Sequence, residues 1–315
     1  MKSETIGNWI KSVTYKPVST LIQTITDENS FKTSFVYDGL QRLKEANAFF
    51  ANGDPKSTTT YTYNYFNPLN PLSATNCNAV ATSTAFVGIA TPLSSKQVLD
   101  GLGRPISGVK ENYDGSNRHV ANYVSYDPLG RQNRVYQPFV TNVYGYINEP
   151  TTTPFTYTKY EASPLSRPIE QIAEDNKSVL MAYGTNVGDE VLKFNVVTTP
   201  TTYINTITVN GSYSGNLLYK TTVTNENGKQ THIFKDKLDR VVLTRKKLGN
   251  DNVDTYNVYD DWGNLVMVIP PDAIVNGSIV MNLTFRYKYD NQNRPIEKTI
   301  PGQTHNDFIT IAAIY

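Results

Sequence analysis

The sequence predicts an all-β fold built from consecutive antiparallel β-hairpins. Two observations carry this prediction: the composition favours strands and turns, and a short turn motif recurs along the chain. Of the 315 residues, 22 are Tyr and only 18% are charged, which is below the roughly 25% of an average globular protein. Tyr, Thr and Val favour strands, whereas Asn, Gly and Pro favour turns. The composition therefore argues against a helical protein.

The turn motif is an Asp followed four residues later by an Arg, and it occurs six times. With 17 Asp and 10 Arg in the chain, random placement would give about half of one such pair, so the recurrence indicates a repeat. Two degenerate copies carry Arg167 without the Asp, and Asp260 with Asn264 in place of the Arg. The predicted turn residues are Tyr37, Asp38, Arg42, Asp100, Arg104, Asp114, Arg118, Tyr126, Asp127, Arg131, Arg167, Asp236, Arg240, Tyr259, Asp260, Tyr289, Asp290 and Arg294.

Each motif is predicted to be the turn of a β-hairpin rather than one turn of a helix. Residues such as Gly39, Gly103 and Pro128 lie inside the motifs and disfavour a helix with (i, i+4) ion pairs. The flanking segments, such as "TSFVYD" and "TFRYKYD", alternate with near period two, as strands do. We therefore expect the Asp to accept backbone N–H bonds in the turn, and the Arg to open the return strand and pair with the Asp.

The repeat spacing divides the chain into four predicted regions. Between the first and later repeats, Pro55, Pro68, Pro71 and Pro92 are predicted to rule out a long central strand. The predicted regions are 1–50 with N-terminal strands and the first repeat, 51–92 as an irregular insertion with two short strands, 93–220 with degenerate repeats, and 221–315 with repeat hairpins that stop within strand-like sequence. That final strand-like sequence favours an internal piece of a longer chain over a complete cytosolic protein.

Charge, cysteine count and hydropathy exclude several function classes. The formal net charge of +1 gives no electrostatic reason to expect nucleic acid or an anionic membrane as a partner. The single cysteine, Cys77, excludes an intramolecular disulfide, and the three histidines lack the spacing of metal ligands. No apolar run approaches the roughly 18 residues of a membrane helix, and the first residues lack the apolar stretch of a signal peptide. We expect no nucleic acid, membrane span, metal or cofactor.

No catalytic constellation converges in the sequence. Asp260 and Asp261 are the only adjacent Asp pair, but they would face opposite sides of a strand or point to water in a turn. There is no G-x-S-x-G elbow and no Walker A loop. Tyr61, Tyr63 and Tyr65 alternate and would share one face of a strand. That face has two interpretations: it covers a neighbouring strand, or it stacks on sugars.

Several phrases of the sequence resemble the tyrosine–aspartate (YD) repeats of bacterial Rhs proteins. "YDGLQRL", "YDPLGR" and "YDNQNRPIEKTI" resemble the repeat itself. "LSSKQVLDGLGRPISGVK", "YEASPLSRPIEQ" and "DTYNVYDDWGNLVMVIPP" resemble an uncharacterised domain that precedes the repeats in long bacterial Rhs-type surface or secreted proteins. This domain is assigned to the region 93–220. The Rhs core, in which an aspartate pair cleaves off a toxin in polymorphic-toxin members, has no counterpart here.

The resemblance implies a fold and a function. Hairpins would continue edge to edge into a long curved or spiralling sheet, part of an Rhs-type shell. The chain would be a non-enzymatic structural segment whose partners are the remainder of its own Rhs chain and an enclosed C-terminal toxin or effector. It would be extracellular or at the cell surface as part of a longer exported protein. The alternative is a carbohydrate- or cell-surface-binding module that uses Tyr61, Tyr63 and Tyr65 on surface glycans.

Overall fold

A computed structural model describes residues 4–6, 10–111, 116, 118–302 and 309–310. These residues form 27 β-strands and two short 3-10 helices, and no α-helix occurs among them. Strand after strand pairs antiparallel with the next along the chain. The prediction of an all-β fold made of consecutive antiparallel hairpins is therefore confirmed.

The first of two compact units comprises residues Met1–Tyr157. Its strands pair in chain order, except that β10 pairs with β12 as well as β11, and β11 pairs with β13. The strands are β1 (Glu4–Ile6), β2 (Ile10–Tyr15), β3 (Ile22–Asp27), β4 (Lys32–Tyr37), β5 (Leu43–Phe49), β6 (Pro55–Asn64), β7 (Asn78–Phe86), β8 (Leu93–Leu99), β9 (Pro105–Lys110), β10 (His119–Tyr126), β11 (Gln132–Tyr136), β12 (Phe139–Thr141) and β13 (Phe155–Tyr160), the last of which runs across the unit boundary.

The second unit comprises Thr158–Tyr315. Its sheet runs β14–β15–β18–β19–β20–β21–β22–β25–β26–β27, and two hairpins, β16–β17 and β23–β24, pair only within themselves. The elements are β14 (Pro168–Ile172), β15 (Ser178–Thr185), β16 (Leu192–Thr198), β17 (Asn205–Ser212), β18 (Tyr219–Thr224), β19 (Gln230–Lys235), β20 (Val241–Leu248), β21 (Asp251–Tyr259), β22 (Leu265–Ile269), β23 (Ile274–Val275), β24 (Ser278–Ile279), β25 (Phe285–Tyr289), β26 (Pro295–Thr299) and β27 (Ile309–Thr310), with 3-10 helices at Pro271–Ala273 and Met281–Leu283.

The main core lies in the second unit, where the hairpin β16–β17 covers one face of the sheet. Exposure alternates along β16 with period two, because one face of this hairpin packs inward and the other meets water. The ring of Phe194 from β16 meets Tyr256 of β21 edge to face, with centroids 5.3 Å apart. Phe234 and Leu243 from the sheet are fully buried in the same cluster. The hairpin therefore supplies the second layer that this part of the sheet needs to bury its apolar face.

Buried polar groups fix the connection into β16. Asn186 is 1% exposed, accepts the backbone N–H groups of Leu217 and Leu218, and donates to the carbonyls of Val187 and Ser214. Its four hydrogen bonds satisfy the polar atoms of its buried amide, which would each cost about 1–3 kcal/mol if left without a partner.

Charged side chains of the sheet bind the same connection. Arg245 on β20 binds Asp254 on β21 through two hydrogen bonds of 2.7 Å and also donates to the carbonyl of Glu190. Lys220 binds the Glu190 carboxylate at 2.6 Å. The strands β18, β20 and β21 thus hold the segment from which the covering hairpin departs.

The region 51–92 differs from its predicted irregular insertion. It contributes two regular strands, β6 with ten residues and β7 with nine, and these continue the sheet between β5 and β8. The prolines do not interrupt these strands, because Pro55 is the first residue of β6 and Pro92 directly precedes β8. Pro68 and Pro71 lie in the loop between β6 and β7. Proline is compatible with a strand's first residue and with loops, so the prediction against a long strand was wrong.

Two leucines on β20 test the location of the core. Leu243 is fully buried, whereas Leu248 is 62% exposed. Leu243→Ala is expected to lower the free energy of unfolding by about 2–5 kcal/mol, because it removes buried methyl groups and leaves a cavity. The matched change Leu248→Ala is expected to stay within about 0.5 kcal/mol. Urea denaturation of both variants measures the difference, and equal effects would contradict this assignment of the core.

Candidate functional site

The predicted turns share one geometry at five places in the described chain. In each, the Asp N–H donates to the Arg carbonyl at 2.8–3.0 Å. Asp Oδ1 accepts the N–H of the second residue after it and the N–H of the Arg, and Asp Oδ2 accepts the Arg Nε at 2.7 Å. One carboxylate therefore closes both the backbone turn and a side-chain ion pair. The five pairs are Asp38–Arg42, Asp100–Arg104, Asp127–Arg131, Asp236–Arg240 and Asp290–Arg294.

The residue that precedes the Arg has a positive φ in all five turns. Gly fills this position at Gly103 and Gly130, with φ near 80°. The other turns place Gln41, Asp239 or Asn293 there, with φ of 59–63°. Asn and Asp tolerate the left-handed region better than most residues, so glycine is not essential to the turn.

The turn hydrogen bonds lower the pKa of the aspartates. The side chain of Arg42, followed by its backbone N–H, holds the pKa of Asp38 below its ordinary value. At Asp236, burial alone would raise the pKa, but the side-chain and backbone bonds from Arg240 outweigh it and leave the pKa lowered. These carboxylates are therefore stabilised in the ionised form that the turn requires.

Four of the arginines, Arg42, Arg104, Arg167 and Arg240, also contact the following hairpin. The guanidinium lies over the ring of a tyrosine there, with 4.1–4.8 Å between the guanidinium carbon and the ring centroid. The same tyrosine donates its hydroxyl to the carbonyl of the residue after the arginine, at 2.7–3.1 Å. We call this series of contacts the arginine ladder; its steps are Arg42–Tyr63, Arg104–Tyr126, Arg167–Tyr183 and Arg240–Tyr259.

The ladder step is the functional contact that the sequence reasoning missed. The Asp–Arg spacing identified the turn, but the partner of the arginine lies 16–22 residues further along, as the numbers of the two residues show. Two of the four partners, Tyr63 and Tyr183, do not precede an Asp in the sequence. A tyrosine in the hairpin after each of these four arginines is the sequence signal that could have identified the partner.

The degenerate turn at Arg167 keeps the ion pair with a longer loop. Glu161 takes the place of the Asp, and its two carboxylate oxygens accept Arg167 Nε and Nη2 at 2.8 and 2.9 Å. Ser163 also donates to Glu161. The hydrogen bond from Arg167, followed by that from Ser163, lowers the pKa of Glu161 to about 2. Glutamate reaches across the longer loop because its side chain has one more methylene group.

The degenerate turn at Asp260 keeps the backbone geometry without an arginine. Asp260 Oδ1 accepts the backbone N–H groups of Trp262 and Asn264, and Oδ2 accepts the Asn264 side-chain amide at 3.0 Å. That amide also donates to Asn293 in the next turn, at 2.9 Å. Tyr289 still donates its hydroxyl to the carbonyl after position 264, that of Leu265. At this turn the shorter side chain of Asn264 therefore makes an amide hydrogen bond to Asn293 in place of the arginine–tyrosine contact.

The remaining predicted turn residues have other surroundings. Tyr37 donates its hydroxyl to the carbonyl of Ile22, and Lys16 lies over its ring. Arg118 donates from Nε to Ser116 Oγ at 3.1 Å. Asp114, its predicted partner, lies outside the described residues.

The three alternating tyrosines do not form one free face. Tyr61 and Tyr63 lie half-buried on β6, whereas Tyr65 lies beyond the end of that strand and is 67% exposed. The ring of Tyr63 is covered by Arg42, and its hydroxyl binds the carbonyl of Leu43. Arg42 Nη1 also donates to the Tyr65 hydroxyl. The aromatic surface is thus largely engaged within the protein.

Within the described ranges, no three His, Cys, Asp or Glu side chains gather as a metal site. None of the helices in that part of the structure has the length and hydropathy needed to cross a membrane.

Comparison with known proteins finds one family match over part of the chain and several solved structures of similar fold. Residues 74–185, less than half of the chain, match the family described as "Domain of unknown function (DUF6443)". No curated protein sequence matches the chain. The fold is similar to the crystal structure of TcdB2–TccC3, with a TM-score of 0.54 and 15% identity over 95% of this chain and 17% of that one. For TcdB2–TccC3–Cdc42 the TM-score is 0.58, with 13% identity over 92% of this chain and 18% of that one.

These structural matches establish similarity of fold. This chain spans less than a fifth of the length of the TcdB2–TccC3 chains that it matches.

Removal of one ladder arginine tests its contribution. Arg240→Ala is expected to lower the free energy of unfolding by about 1–3 kcal/mol, because Asp236 loses its charged donor and Tyr259 loses the stacked guanidinium. Lys237→Ala, in the same turn, removes an equal charge from an exposed position and is expected to stay within about 0.5 kcal/mol. Urea denaturation compares the two; equal loss would contradict the ladder's contribution.

The lowered pKa of Glu161 predicts an acid-dependent contribution to stability. The ordinary value is 4.5 and the folded value is about 2. The contribution is therefore complete above pH 4.5 and disappears as the pH falls toward 2. The gap in urea midpoint between the wild type and Glu161→Gln is expected to narrow between about pH 6 and about pH 2.5. An unchanged gap would show that ionisation of Glu161 does not contribute.

Proposed function

We propose that this chain is a non-enzymatic structural segment of an Rhs/YD-repeat protein, a length of β-sheet wall in which each hairpin holds the next. The observation that carries the proposal is the arginine ladder, in which one side chain closes its own turn and stacks on the following hairpin. A series of such steps gives a sheet that is specified locally and extends by repetition, as in other repeat proteins.

The side chains of the turns support a structural role over a catalytic one. Each Asp carboxylate in the five regular turns accepts two backbone N–H bonds and an arginine bond. Each stacked guanidinium is held between a carboxylate and a ring. Groups engaged in this way are not available for proton transfer or nucleophilic attack, which require a group within reach of a substrate.

The wider setting extends the same proposal. In a longer exported protein, a wall of this kind would enclose or present a C-terminal toxin or effector at the cell surface or outside the cell. The support is the fold similarity to TcdB2–TccC3 chains of which this segment matches 17–19%, together with the YD motifs. The glycan-binding alternative has less support, because Tyr63 is covered by Arg42 and only Tyr65 is well exposed.

Limited proteolysis of the full parent reading frame tests the enclosing wall. The variant Arg131→Ala/Arg294→Ala removes two turn arginines, and it is expected to melt at a lower temperature and to expose the region after residue 315 to protease. The control Lys177→Ala/Lys237→Ala removes the same charge from exposed positions and should leave both properties unchanged. Equally fast cleavage of the downstream region in the folded wild type and in the Arg131→Ala/Arg294→Ala variant would overturn enclosure, and an unchanged melting temperature would overturn the structural role of the turns.

A further inference from the structure

A pocket lies in the second unit where the end of the hairpin β16–β17 meets two adjacent turns. Its volume is about 390 Å³, and Tyr203 forms the hairpin side. Asp260, Trp262 and Asn264 come from the turn between β21 and β22, and Tyr289 and Asp290 come from β25 and the turn that follows it. The pocket therefore combines three aromatic side chains with two carboxylates.

The pocket coincides with the step of the ladder that lacks an arginine. At four steps the guanidinium lies on the tyrosine of the next hairpin. At this step Asn264 occupies the arginine position, and Tyr289 keeps the usual hydroxyl bond to Leu265. The tyrosine hydroxyl is thus held as at the other steps, and Tyr289 lines the pocket.

The turn that follows Asn264 in the chain also differs from the turns that follow Arg104 and Arg240. Gly130 lies against Arg104 Nη1, where an added Cβ would be 2.6 Å away, and Gly263 lies 3.6 Å from Arg240 Nη1 by the same measure. The equivalent residue beside Asn264 is Asn293, which accepts its amide hydrogen bond. At Gly130 the missing side chain makes room for the guanidinium of Arg104, whereas the equivalent residue beside Asn264 is Asn293, which carries a side chain.

Asp260 supplies a buried carboxylate that lacks a cation. It is 6% exposed, and no salt bridge within the described ranges reaches it. Among the described residues that line the pocket, two are carboxylates and none is Lys, Arg or His. The oxygens of Asp260 accept hydrogen bonds from two backbone N–H groups and the Asn264 amide, all of them neutral donors. A charged donor makes a stronger hydrogen bond to a carboxylate than a neutral donor does. Asp290 is already bound by Arg294, so Asp260 is the carboxylate that lacks a cation.

We propose that this pocket binds the guanidinium group of an arginine side chain from another polypeptide segment. A guanidinium binds carboxylates through directional hydrogen bonds and stacks on aromatic faces, and the pocket offers Asp260 beside Tyr289 and Trp262. Trp262 is 66% exposed at the rim. All ten arginines of the sequence lie among the described residues, and none lines the pocket. The incoming arginine therefore restores from outside the step that the chain omits.

Trp262 fluorescence provides the measurement, in a Trp9→Phe background that leaves Trp262 as the sole tryptophan. The probe is the capped peptide acetyl-Gly-Arg-Gly-amide, and saturable binding is expected. The lysine peptide should bind about tenfold more weakly, since an ammonium lacks the planar fork of a guanidinium. The neutral citrulline peptide, which keeps the shape without the charge, should bind at least about tenfold more weakly. No response to the arginine peptide, or equal binding of the citrulline peptide, would overturn the proposal.

Agmatine distinguishes a polypeptide source from a small guanidinium compound. The arginine peptide should bind about tenfold more tightly than agmatine if the rim also contacts the peptide flanks. Agmatine binding as tight as or tighter than the peptide would overturn the polypeptide source.

Two variants test the site itself. Asn264→Arg/Asn293→Gly rebuilds the ladder within the chain, so it should melt at an equal or higher temperature and lose peptide binding. Asp260→Asn keeps an acceptor for the turn but removes the charge, and should bind at least about tenfold more weakly. The control Asn227→Arg adds the same charge at an exposed turn residue and should bind like the parent. Undiminished binding by the folded rebuilt variant would overturn the site without affecting the proposed wall function.

Discussion

The structure depends on one shared interaction, in which an arginine guanidinium is held by the aspartate of its own turn and by the tyrosine of the next hairpin. One oxygen of the aspartate accepts a hydrogen bond from the guanidinium, and the other accepts the backbone N–H of the arginine and so closes the turn. The tyrosine connects its own strand to this turn, because the guanidinium stacks on its ring and its hydroxyl donates a hydrogen bond to a carbonyl of the return strand. A local turn is thereby linked to the registration of the next hairpin, and repetition extends the sheet.

This arrangement suits a chain with few charges and a small core. In the described part of the first unit, Cys77, Ala79 and Val98 form a buried cluster, with Ile106 and Tyr146 packed against it. This cluster is smaller than the main core of the second unit. The second unit differs, because the hairpin β16–β17 covers its sheet and creates a larger core around Phe234 and Leu243. The polar cluster of Asn186, Glu190 and Arg245 fixes the segment that leads into this hairpin.

Much of the fold followed from the sequence because the controlling contacts are local. Asp and Arg four residues apart, with strand-like flanks, predicted the hairpins, since turn chemistry acts over a few residues. The same reasoning was wrong for residues 51–92. It counted prolines without placing them, and a proline at the first residue of β6 is compatible with the strand that follows it. The tyrosines at 61, 63 and 65 raised the question of a binding face, but the position of Arg42 over Tyr63 depends on contacts between hairpins.

The sequence by itself determined the repeating turn, the strand-rich fold class and the absence of a recognisable catalytic motif, because each is encoded in residue types a few positions apart. The tertiary structure decided which tyrosine each arginine meets, which hairpin leaves the sheet to cover it, and where the ladder is left open. Those outcomes depend on the pairing of distant strands. The replacement of arginine by Asn264 is visible in the sequence, but only the fold shows that a buried carboxylate and Tyr289 line the same pocket there.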